Sequence, residues 1–111
     1  IVHHAIYLYL MEEARTELLR GRGLFDLVPL DAINYPVMDA RIEYGKPLYF
    51  DDEVEIAVDV GFEKARISFD YELKTKRFSQ PVAFGKTVHI AMEMKSRKPI
   101  RIPAEIQRLL K

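Results

Sequence analysis

The chain has no cysteine. Disulfides, thiolate zinc sites and cysteine nucleophiles are thereby excluded. It also lacks an excess of either charge, since 17 basic residues balance 17 acidic ones over 111 residues. A dedicated nucleic-acid binder ordinarily carries a basic surplus that displaces counterions, so nucleic acid is not an expected partner. Long uncharged runs are missing too. The stretch from Ile1 to Met11 falls well short of the roughly 20 apolar residues that a helical bilayer crossing needs. No basic segment precedes it, so a signal peptide is not expected and the chain reads as cytoplasmic. Repeats, low-complexity stretches and linkers are also wanting. What remains is 49% hydrophobic, 31% charged and 11% aromatic. That is enough to fill one core, which excludes disorder and predicts a single domain over residues 1–111.

Hydrophobic periodicity then divides the chain. Tyr7, Leu10, Met11, Ala14 and Leu18 recur at helical spacing and predict a helix from His4 to Arg20, ended by Gly21 and Gly23. Glu12 with Arg15, and Glu17 with Arg20, are spaced to pair on its wet face. From Ala5 to Met11 the helix is apolar all round apart from two tyrosine hydroxyls, which predicts protein on every side. Four later segments alternate with period two. Their apolar parities are Met38, Ala40, Ile42 and Tyr44; Val54, Ile56, Val58 and Val60; Ile67, Phe69, Tyr71 and Leu73; and Val88, Ile90, Met92 and Met94, with Val82 and Phe84 in phase. Such repetition predicts antiparallel strands with one buried face. Turns are expected at Gly45–Asp52, Gly61–Lys64 and Lys74–Pro81, and a short last helix at Ala104–Leu110 behind Pro103. An α+β fold follows, with a curved antiparallel sheet wrapped round the long first helix, because the sheet's apolar face and the helix each need a cover.

The start of that helix is its most informative part. The first N–H groups of a helix lack intrahelical partners. Ile1, Val2 and His3 are poor caps for them. Uncapped donors at the positive end of a helix suit a carbonyl oxygen or an oxyanion. His3 and His4 stand at that end, with Tyr7 one turn in. An imidazole there positions water or donates a hydrogen bond, although the pair can equally close the helix and pack beside the sheet. Asp51–Asp52 reads as a turn cap. His89 lies on the parity opposite the apolar one, and nothing in its spacing to His3 and His4 makes a metal site, so no metal and no cofactor are expected.

Three segments carry a family resemblance: "IVHHAIYLYLMEEARTELL", "IEYGKPLYFDDEVEI" and "AFGKTVHIAMEM". Together they resemble the hotdog-fold acyl-CoA thioesterases, in the branch of the 4-hydroxybenzoyl-CoA and Tol–Pal-associated enzymes. The resemblance implies a hotdog fold, a homodimer or homotetramer with active sites at a subunit interface, and metal-free hydrolysis of an acyl-CoA. It assigns catalytic roles to His4 and Tyr7 and places His3 and Ala5 against the substrate. Lys64 and Arg66, at a turn, are candidates for the CoA phosphates. The family's attacking Asp and its first strand would both fall upstream of Ile1. Without that Asp, a non-catalytic acyl-CoA or acyl-carrier binding module is the alternative. A hotdog hydroxyacyl-thioester dehydratase is a second one, which the Glu-x-Ala-Arg helix fits poorly.

Overall fold

The computed structural model describes residues 4–27 and 32–111. In chain order the elements are α1 (His4–Gly21), α2 (Leu24–Leu27), β1 (Ile33–Asn34), β2 (Val37–Tyr44), β3 (Val54–Glu63), β4 (Arg66–Thr75), β5 (Ala83–Ile90), β6 (Met92–Glu93) and α3 (Ala104–Leu110). The long helix ends where its glycines predict. Arg22 N–H still bonds to the Leu18 carbonyl at 3.2 Å, and Gly23 then turns the chain away at φ +81°. That left-handed backbone is one that glycine adopts without steric cost.

The four long strands form one antiparallel sheet in the order β2-β5-β4-β3, and β1 pairs with β6 in a separate two-stranded ribbon. β3 and β4 make a ten-residue hairpin in continuous register from Val54↔Thr75 to Glu63↔Arg66. The strand therefore runs through Gly61, and the turn is only Lys64–Ala65, with Lys64 at φ +56°. A positive φ at the first central residue is what a tight two-residue hairpin requires. β2 bonds to β5 alone, from Val37↔His89 to Tyr44↔Ala83, with a bulge between Val37 and Asp39. It is an edge strand, as is β3 on the other side.

α1 lies on one face of this sheet, over Ile67, Phe69, Tyr71 and Leu73 of β4, all buried on the parity that the alternation predicts. On β5 the expected parity is reversed. Thr87 and His89 are buried, while Phe84 is 48% exposed and Val88 and Ile90 are half-covered on the outer face. The predicted strand to Met94 also breaks at Ala91, and Met94 is exposed. The reason lies in Gly85. A Cβ built there would come within 2.2 Å of Met11 Sδ. The Met11 side chain takes up the room above Gly85, with the small Ala83 and Thr87 beside it on the same inner face. The bulkier apolar side chains are left on the outside.

The helix is not wrapped on every side. Tyr7 and Met11 are buried, but Ala5 is exposed, and Ile6 at 40% and Tyr9 at 56% face outward with Leu8. The sheet covers one face of α1, and the apolar character of the first two turns exceeds what that face uses. Of the two predicted ion pairs, Glu17–Arg20 forms and Glu12–Arg15 does not. Arg15 instead turns inward to the sheet.

α3 closes the far end of the helix–sheet layer. Pro103 precedes it at φ −55°, and its Ile106 and Leu110 are buried. Arg22 Nη1 donates to the carbonyls of Leu109 and Leu110 at 3.2 and 2.8 Å, so a cation just past α1 satisfies the C-terminal carbonyls of α3. The four-residue α2 and the β1–β6 ribbon are too short for periodicity to reveal them.

Filling the Gly85 gap tests this arrangement. Gly85→Val should cost about 1–3 kcal/mol, as overpacking of a close-packed core does. A Met11→Ala background should absorb part of that cost, because the two positions share the same space. Urea unfolding of the two single variants and the double variant gives the coupling.

Candidate active site

The first turn of α1 sits over the Tyr44 end of β2. Tyr7 is 3% exposed, and its ring meets that of Tyr44 edge-on, with centroids 4.9 Å apart and planes at 87°. Burial, and then the nearby Tyr44, raise the Tyr7 hydroxyl above the usual phenol value, partly offset by a hydrogen bond from the Leu48 backbone. Tyr7 therefore stays a neutral phenol through the physiological range. α1 begins at His4 with no acidic residue in its first turn. Its opening N–H groups thus keep their positive character. His3 lies outside the described residues. Ala5 is exposed one residue inside the helix, and Tyr49 and Phe50, next to the buried Leu48, add exposed aromatic surface on the same side as Tyr44.

Asp52 closes the Tyr49–Asp52 turn, as expected for an acidic pair there. Its Oδ2 accepts from the Tyr49 N–H at 3.0 Å and its Oδ1 accepts from Arg77 at 2.8 Å. The Arg77 hydrogen bond chiefly holds its carboxyl below the usual carboxylate value. Arg77 also stacks over the Tyr49 ring at 4.7 Å.

Lys64 and Arg66 are exposed at the opposite end of the sheet. Leu73 is level with Tyr44 across β5. From Leu73 back to Arg66 is about 23 Å of strand at the usual rise per residue. Within one chain the two cations thus stand apart from Ala5 and Tyr7, and the His4 side chain, like His3, lies outside what is described.

A buried polar chain lies deeper under α1, through a residue expected on the outer face. His89 is 2% exposed. Burial chiefly lowers its pKa from the ordinary imidazole value, helped by Arg15 and opposed by the Tyr35 carbonyl. A carbonyl only accepts, so Nδ1 carries the proton and donates to Tyr35 O at 3.0 Å. In the neutral ring Nε2 is then an acceptor, and Thr87 Oγ1 donates to it at 3.0 Å. Thr87 in turn accepts from the Tyr71 hydroxyl at 2.8 Å, and Tyr71 accepts from Arg15 Nη1 at 3.0 Å. Every O–H and N–H points the same way along the chain. Protonating His89 would remove the acceptor at Nε2 and force the buried Thr87 O–H to turn away from it, so the geometry opposes the charge as burial does. Among the described residues no group of three or more His, Asp or Glu side chains is placed to hold a metal ion. Nor, among them, is any helix long and apolar enough to cross a membrane.

The model of the thioesterase-like superfamily matches residues 1–110. The chain belongs to this hotdog thioesterase family. A structure of an Aquifex aeolicus protein of unassigned function superposes with a TM-score of 0.88 at 30% identity, covering 100% of this chain and 86% of that one. A 1,4-dihydroxy-2-naphthoyl-CoA hydrolase of Synechococcus elongatus is 33% identical over 75 residues, which are 65% of this chain and 52% of that protein. A Synechocystis protein described as a 1,4-dihydroxy-2-naphthoyl-CoA thioesterase shares the fold at a TM-score of 0.86 and 21% identity, over 99% of this chain and 82% of its own. This thioesterase is thus a thioester hydrolase with the expected architecture, a long helix on a curved, open antiparallel sheet.

The buried chain makes two predictions for this thioesterase. Thr87→Val keeps the volume but leaves Nε2 of His89 without a donor and the Tyr71 O–H without an acceptor, and should cost about 1–3 kcal/mol. The stability that His89 confers by staying neutral is fully present above the ordinary imidazole value of 6.5. It declines as pH falls from there toward the lowered folded value, because the unfolded chain then binds the extra proton. Urea melts across that interval should show stability falling with acidification, and His89→Gln should flatten the slope.

Proposed function

We propose that this thioesterase hydrolyses acyl-CoA to the free acid and CoA, with the thioester carbonyl seated at the N-terminus of α1. The observation that carries the reading is the start of the helix at His4, with no acid in its first turn, above the Tyr7–Tyr44 pair. Attack by water forms a C–O bond, passes the water's proton to the activating carboxylate and drives charge onto the carbonyl oxygen, where the opening N–H groups of α1 stabilise it. The C–S bond then breaks, the proton returns to the CoA thiolate and the acid departs; if the carboxylate itself attacks, water hydrolyses the resulting anhydride to the same products. His4, with Ala5 and His3 beside the substrate, supplies hydrogen bonding at this mouth. Tyr7, held neutral, acts as a donor or an anchor and not as a base. In this reading the attacking carboxylate, or the one that activates water, is the Asp that the family resemblance places upstream of Ile1. The Synechococcus relative acts on an aromatic acyl-CoA by name. The exposed aromatic surface of Tyr44, Tyr49 and Phe50 suits a CoA ester of that type.

The same proposal includes a second copy and a cytoplasmic location. β2 is an edge whose outer-facing Asp39, Arg41 and Glu43 present both signs of charge. Antiparallel pairing with its own copy about a two-fold lets opposite charges meet and removes an open edge. It also sets the Val37 end of one copy beside the Tyr44 end of the other. Lys64 and Arg66, at the Val37 end, then lie on the CoA side of the second copy's helix start. A homotetramer would add a second such pair.

Thiol release from a panel of acyl-CoAs, with chelator present, tests the chemistry on protein that includes the upstream segment. Turnover should persist with chelator. His4→Ala should lower kcat by about 10²-fold, as loss of a positioned acid–base group does, with an unchanged melting curve. Binding without turnover on every member would replace the hydrolase with the binding module. Sedimentation should give a dimer or tetramer at micromolar concentration, and a monomer alone would remove the β2 pairing.

A further inference from the structure

Between α1, α3 and the inner face of β4 and β5 lies a cavity of about 170 Å³. A dry cavity of about 150 Å³ accepts a benzene ring, so this one is ring-sized. Leu19, Leu24, Ile67, Phe69, Ile106 and Leu110 make its walls apolar. Arg15, Asn34 and His89 add polar groups. His89 offers nothing to a ligand, because Tyr35 and Thr87 occupy both its nitrogens.

Arg15 differs. It is half-buried, lies 5.8 Å from the Phe69 ring centroid, and spends one N–H on Tyr71. A guanidinium has five such donors. Among the described residues no carboxylate stands within ion-pair distance of it, and unlike Arg22, which is also half-buried but donates to the Leu109 and Leu110 carbonyls, it lies beside a cavity. A partly desolvated cation without a counter-ion is costly, and the forked guanidinium matches a carboxylate in geometry.

We infer that this cavity is a second site, one that binds a small apolar carboxylate with its acid group on Arg15 and its ring or short chain among the leucines and isoleucines. The walls disfavour a strongly hydrated anion such as phosphate, and the unpaired charge disfavours a plain hydrocarbon. The site is separate from the start of α1: Arg15 lies eleven residues beyond His4, about 16 Å along the helix. Two sources share this chemistry: the free acid that a thioester hydrolase releases, and a carboxylate at the far end of a long acyl group.

Benzoate is the probe, with benzamide as its neutral counterpart, titrated against the whole protein by calorimetry and by NMR of the Leu and Ile methyl groups. Benzoate should bind about tenfold or more tighter than benzamide. Arg15→Met, which keeps the stem and drops the guanidinium, should weaken benzoate by a similar factor, and Arg15→Lys should retain part of the binding. Leu24→Phe, which fills the cavity and leaves Arg15 intact, should also abolish it. Equal affinity for benzoate and benzamide would overturn the proposal. So would unchanged benzoate binding in a folded Arg15→Met protein, or no benzoate binding by the parent chain. Benzoate that raises KM alone identifies the acyl-group source. Benzoate that changes kcat at saturating thioester identifies the released acid acting at a distinct site.

Discussion

Much of this molecule follows from one missing Cβ. Because position 85 is glycine, the Met11 side chain occupies the space above β5 that a Cβ would fill. Tyr7 meets Tyr44 at one end of the helix, Arg15 reaches Tyr71 in the middle, and Leu19 packs toward α3 at the other end. Together these side chains fix how α1 lies on the sheet.

The packing on that inner face explains which parts of the fold are legible in the sequence. The β3–β4 hairpin reads directly, since its apolar residues alternate onto the face that the helix covers. β5 misleads, because hydropathy alternation assumes that the bulkier residue is the buried one. Here the Met11 side chain fills the inner face above Gly85, so the outward side holds Phe84 and Val88 and the inward side holds Gly85 and Thr87. Gly85 was itself the available signal, a glycine inside a strand pattern, which often marks a close backbone approach. The spacing of Arg15 from Glu12 describes a solvated helix face, whereas its guanidinium turns inward to the Tyr71 hydroxyl and the Phe69 ring.

The candidate site divides in the same way. A local motif on one helix was enough to name His4 and Tyr7, and the structure adds that Tyr7 is a buried, neutral group and not a surface one. Lys64 and Arg66 were grouped with them by residue chemistry alone, and strand register separates them by the length of the sheet. The buried Arg15–Tyr71–Thr87–His89 chain joins a helix to two strands. No spacing within a single segment encodes it, and it emerges only when β4 and β5 are laid in register beneath α1.

That chain has a polarity, and the polarity constrains how the sequence can change. Each member accepts from the one before and donates to the one after, from Arg15 to the Tyr35 carbonyl. Replacing Tyr71 or Thr87 by a group of opposite sense leaves a donor facing a donor, whatever its size. A single step is therefore penalised, while a concerted exchange of the neighbours is tolerated. These positions should behave as one heritable unit, their substitutions strongly epistatic, whereas the surface charges of β2 and β3 drift independently.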